Sequence, residues 1–100
     1  MNVVREDVEK LVEKELEEAI KLHGLNHSYH EKISLVVEEF EECVDELEEL
    51  KNNLQNTWQW TKVDENEYIM DELYSKIYKG AVRLACEAIQ VAAMAKKEVL

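Results

Sequence analysis

The chain contains no proline and only two glycines, so the tight turns of an all-β sandwich or barrel lack their usual residues. Its two cysteines, Cys43 and Cys86, are too few for a disulfide scaffold. Both sit among apolar neighbours in helical patterns, and a reduced, cytoplasmic protein is expected. No run approaches the ~20 apolar residues of a membrane span. The most apolar stretch, LACEAIQVAAMAKK, is interrupted by Glu87 and Gln90, and the N-terminal MNVVREDVEK has no signal-peptide core. Basic residues are scarce: 12 Lys and Arg against 23 Asp and Glu leave a net charge of −11. That balance repels polyanions and argues against binding a nucleic-acid duplex through its phosphates.

What is present favours helices. Glu, Lys, Leu, Val and Ala dominate, and the apolar residues recur at helical spacing. One domain over residues 1–100 is expected, an all-α bundle of three to four helices. A domain of this size buries only roughly 60–65% of its unfolded surface, so self-association is a natural way to complete its core. Val8, Leu11, Val12, Leu16, Ala19 and Ile20 mark a first helix from about Arg5 to His23, with Gly24 as its stop. Ser28 and Glu31 make a capping box for a second helix. Its apolar residues Ile33, Val36, Val37, Phe40, Val44, Leu47, Leu50 and Leu54 share one arc of roughly 140°. From Lys51 to Val63 the pattern dissolves, and KNNLQNTWQWTKV reads as a loop with Trp58 and Trp60 in a short extended piece. Asp64 and Glu67 cap a further helical pattern running to the end. Whether one helix passes through Gly80 or two meet there is open at this level.

The second helix carries eight carboxylates between Glu38 and Glu49. Glu38, Glu42, Asp45 and Glu49 form a stripe expected to face solvent. Glu39 and Glu46 flank the apolar arc, where partial burial is expected, and Glu39 and Glu42 are spaced to reach one ion. On the last helix Lys76, Arg83, Glu87 and Gln90 fall within roughly 60° of one another, with Lys79 on the border. Oxygen ligands followed by cations suit a Mg²⁺-bound phosphate chain, although charged strips are more commonly solvated faces.

These segments carry a resemblance. E38-E39-F-E-E42 followed by E87-A-I-Q90 resembles the EExxE and ExxD helices of the MazG-like all-α nucleotide pyrophosphohydrolase superfamily. HSYHEKISLVVEEFEE and EAIQVAAMAKK are similar to small MazG-like proteins of bacteriophages and prophages. The resemblance covers about His27 to Lys97. It implies a helical bundle forming a homodimer or homotetramer that binds Mg²⁺, or alternatively Mn²⁺, and splits a nucleoside triphosphate between its α and β phosphates. If phage-encoded, it would act in the host cytoplasm. By the same resemblance Glu39, Glu42, Glu87 and Gln90 correspond to metal ligands, and Glu38 or Glu42 to the group that takes a proton from water. Gln90 stands where the family has Asp. An amide oxygen can ligate a metal but has no charge and cannot act as a base.

Lys76, Lys79 and Arg83 are candidate phosphate partners, and His30, near a helix N-terminus, is another. Zinc binding by His23, His27 and His30 is disfavoured because no cysteine joins them and the backbone turns between them. Trp58 and Trp60 offer faces for base stacking, though packing is their commoner use. Two other functions fit the same residues. A catalytically degenerate relative would bind and sequester a nucleotide signal as a phage anti-defence device. An acidic helical inhibitor would instead bind a basic host protein.

Overall fold

The computed structural model describes residues 4–25, 28–63 and 67–100, all of it helical apart from short ends and turns. The first helix, α1, spans Arg5–His23; Glu6 and Asp7 in its first turn and Lys21 and His23 in its last complement the helix dipole. It stops as expected at Gly24, whose φ of 68° is cheap only for glycine and whose N–H donates to the Ile20 carbonyl at 2.8 Å. The second helix, α2, spans Tyr29–Val63, and the Ser28 hydroxyl accepts the Glu31 N–H at 3.1 Å as the capping pattern predicts.

The expected loop at Lys51–Val63 is not there: α2 continues through it. The Thr57 and Thr61 hydroxyls donate to the carbonyls of Asn53 and Thr57, each at 2.8 Å, which satisfies these polar side chains inside the helix. Thr57 is buried and Asn53 half-buried; tertiary packing overrides the weak helix propensity of the segment. Trp58 and Trp60 are therefore helical, not extended. The third helix, α3, runs unbroken over Glu67–Lys97 and passes straight through Gly80. Its expected cap, Asp64, lies outside the described residues.

Helix α3 is the element against which both others pack. It runs antiparallel to α2, which sets Thr61 beside Met70, Leu50 beside Gly80 and Glu46 beside Arg83. It runs parallel to α1, which covers only its C-terminal half, from Val8 near Ala85 to Leu22 near Lys97. The small core lies where the three helices meet: Val12, Leu16, Ala93 and Met94, with Val36 and Ile89 packed on it. A Cβ at Gly80 would meet Leu50 Cδ1 at 3.6 Å and Arg83 Nη2 at 3.8 Å, ordinary contact distances. Gly80→Ala is expected to stabilise the protein by about 0.5–1 kcal/mol through helix propensity. The urea midpoint should rise; a fall would show that the helices need a closer approach there.

Helix α2 turns an unexpected face to α3. Half-buried Val36, Glu39, Cys43, Glu46, Leu50 and Asn53 and buried Thr57 follow each other at alternating three- and four-residue steps, the seam of a paired helix. Some 100° further round, a more apolar stripe, Ile33, Val37, Phe40, Leu47, Leu54 and Trp58, stays exposed, with Ile33 at 57% and Phe40 at 55%. The chain measures 55 × 29 × 22 Å with a radius of gyration of 17.4 Å, against roughly 13 Å for a compact domain of this length. Its surface of 7782 Å² exceeds by ~1,900 Å² that of a compact monomer of 100 residues.

Candidate metal centre

The seam that joins α2 to α3 contains the acidic residues. Glu39 is carried on the buried side of α2, Glu42 one turn on at its edge, and Glu87 faces them from α3. One carboxylate oxygen from each lies within 4.8 Å of the other two, the one group of three potential ligands this close among the described residues. Oxygens on opposite sides of Mg²⁺ are ~4.2 Å apart and those on Ca²⁺ ~4.8 Å, so the three can converge on one cation with small side-chain rotations.

The electrostatics are unfavourable without a cation. Burial first, and then the charges of Glu42, Glu87 and Glu38, push the Glu39 carboxyl above the usual carboxylate range. Burial, then Glu42 and Glu46, do the same to Glu87. The Glu87 Oε2 atom is buried and accepts no hydrogen bond. Its close neighbour Glu42 is another carboxylate, which could donate only if protonated. A buried acceptor left unpaired costs about 1–3 kcal/mol, more when charged. Either a proton or a metal ion relieves it, and the all-oxygen, anionic donor set suits a hard divalent cation.

Other candidate residues surround this centre to different degrees. Glu38 is exposed and, with Glu39, lines a cavity of about 520 Å³ between α1, α2 and the end of α3. Gln90 lines the same cavity, and its amide Nε2 donates to Glu15 Oε2 on α1 at 2.9 Å. Lys76, Lys79 and Arg83 share a separate cavity of about 310 Å³ with Glu49 and Asn53. Arg83 is engaged there by Glu46 at 3.1 Å and Glu49 at 3.5 Å, and Lys76 lies 4.0 Å from Glu72. The basic strip begins one turn from Glu87 and ends, at Lys76, ~16 Å from it along α3.

His30 is exposed at the start of α2 and lines neither cavity; His27 lies outside the described residues. Trp58, 60% exposed and with Lys62 Nζ 4.9 Å from its ring centroid, is 19 residues from Glu39. That is ~28 Å along the helix, so the Trp pair and the acidic cluster are at opposite ends of one chain. The solvent-facing stripe of Glu38, Glu42, Asp45 and Glu49 is exposed, and Glu39 and Glu46 are half-buried, both as the helical wheel predicts.

Sequence reasoning missed the cavity residues on α1 and Lys97. A signal for Lys97 existed: Glu87, Gln90, Met94 and Lys97 are spaced three, four and three apart, one continuous stripe. Cys43 and Cys86 are both free. No helix among the described residues is long and apolar enough to cross a membrane. No protein-family model, curated protein or solved structure matches this chain.

Proposed function

We propose that this protein is a divalent-cation-dependent nucleoside triphosphate pyrophosphohydrolase of the MazG-like type, working as a homo-oligomer. The observation that carries the reading is the meeting of Glu39 and Glu42 with Glu87 across the α2–α3 seam, with Glu87 Oε2 buried and unpartnered. Two distant segments of the chain thus bring three carboxylates together.

Mg²⁺ or Mn²⁺ held by Glu39, Glu42 and Glu87 supplies Lewis acidity and charge neutralisation to a phosphate when bound. The chain's own side chains do the rest. Arg83, Lys79 and Lys76 sit one to three turns along α3 from Glu87, where they orient the remaining phosphates and offset their charge. Arg83 must leave Glu46 and Glu49 to do so, a modest cost because those ion pairs are partly exposed. With Glu42 in the cluster, exposed Glu38 is the carboxylate left to accept a proton from water.

Incubation with Mg²⁺ or Mn²⁺ and a panel of nucleoside triphosphates should release pyrophosphate. Glu39→Ala and Glu87→Ala should each lower turnover by on the order of 100-fold or more. No turnover of any triphosphate would exclude hydrolysis. One observation favours a second reading, a nucleotide-sequestering protein without hydrolysis. Gln90 brings no charge, and its amide nitrogen is committed to Glu15. Tight binding with the nucleotide recovered intact would select it.

A further inference from the structure

The cavity beside the acidic centre holds a second unusual group. Lys97, in the last turn of α3, is only 4% exposed. It lines the 520 Å³ cavity. Among the described residues its ammonium makes no hydrogen bond or ion pair. Its aliphatic stem is packed away while its ammonium opens into the cavity, where Glu15, Glu18, Glu31, Glu38 and Glu39 line the same space. None of them comes within ion-pair distance.

The volume is in the range of small-molecule sites, and its chemistry is specific. Carboxylates and the Gln90 amide oxygen offer acceptors, whereas Lys97 and, at the exposed side of the cavity, His23 offer donors. A phosphate is repelled from such a wall. A neutral ring with one acceptor for Lys97 and several N–H donors for the carboxylates is complementary to it. Met94, Leu35 and Ala19 supply the apolar surface against which a flat ring packs.

From this we infer that the cavity between α1, α2 and the end of α3 is a nucleobase site selecting guanine, with Lys97 donating to the O6 carbonyl and the cavity carboxylates accepting from N1–H and the 2-amino group. Adenine has no carbonyl on that edge, and uracil presents two carbonyls to one N–H. The assignment rests on the nucleotide reading above, because Glu39 belongs both to this cavity and to the metal centre.

The test uses nucleosides, which need no metal. Calorimetry of the full chain with guanosine, adenosine, cytidine and uridine should show guanosine bound at least about tenfold more tightly than the others. Inosine, which lacks only the 2-amino group, should bind more weakly than guanosine. Lys97→Met, checked for folding by its thermal melt, should bring the four nucleosides within about twofold of each other. The ratio is the readout, since a merely loosened fold weakens all four alike. Equal binding of all nucleosides by the unmodified protein, or a guanosine preference that survives Lys97→Met, overturns the base assignment. A parallel titration with Mn²⁺ and triphosphates separates the two ideas. Metal-dependent binding without base preference defeats this inference alone, whereas no binding of either ligand type defeats both.

Discussion

Replacing Glu87 by Gln should raise the thermal midpoint of the metal-free protein at pH 7 while removing its response to divalent cations. The carboxylate sits against Glu42, with Glu39 and Glu46 also on the facing helix, and its Oε2 has no donor. An amide of the same shape removes one negative charge from the cluster and can donate to Glu42. Relief of ~1–2 kcal/mol is expected, which corresponds to roughly 5–10 °C in a domain of this size.

The unmodified protein should show the opposite response to metal. Mn²⁺ at ~100 times its dissociation constant stabilises by about 2.7 kcal/mol; Glu87→Gln should lose most of this. The pH dependence has a definite sign. Glu39 and Glu87 are raised above their unfolded values, so the folded protein binds more protons and stability falls as pH rises from about 4.5 through their elevated range. Glu87→Gln should flatten that fall, with the Glu39 contribution remaining. Differential scanning calorimetry at several pH values reads both effects. A less stable Glu87→Gln protein, together with an unmodified protein indifferent to Mn²⁺, would mean the carboxylates are structural and hold no ion.

Leu47→Glu combined with Leu54→Glu should convert an oligomer into a monomer. These residues lie on the exposed stripe of α2, well along the helix from Glu39, so the acidic centre is spared. The stripe from Ile33 to Trp58 follows three- and four-residue steps with Lys51 as its charged member, a pattern that suits a helix pair whose register a single polar residue helps fix. The surface in excess of a compact monomer, ~1,900 Å² per chain, is ample against the ~800 Å² each partner buries in a standard interface. Sedimentation equilibrium at tens of micromolar should give a multiple of the chain mass for the unmodified protein and the single-chain mass for the double variant. A monomeric unmodified protein would leave the stripe unexplained.

How much of this was legible beforehand differs between elements. The C-terminal end of α1 and the start of α2 were readable because Gly24 and Ser28 act on the adjacent backbone alone. The half-burial of Glu39 and Glu46 follows from the wheel only as an outcome: they lie within the seam against α3, not on the flank of a buried apolar arc, much of which stays exposed. The KNNLQNTWQWTKV segment was misread because its Asn and Thr residues have low intrinsic helix propensity. The structure accommodates them through hydroxyl-to-carbonyl bonds within α2 and burial against α3, and the burial is not visible without the partner helix. Gly80 could not be resolved for the same reason: only the neighbouring Leu50 shows that the helix continues past it in close contact.

The sequence by itself determined the helical class, α1 and the start of α2, their polar and apolar stripes, and the residues able to bind a cation, since these follow from local periodicity and side-chain chemistry. Tertiary structure decided which stripe of α2 faces α3, that Glu87 meets Glu39 and Glu42, and that Lys97 ends in a cavity shared with carboxylates. Those outcomes depend on the relative register of the three helices. Register is set by the sum of many weak contacts between residues far apart in the chain, and no single local pattern carries it.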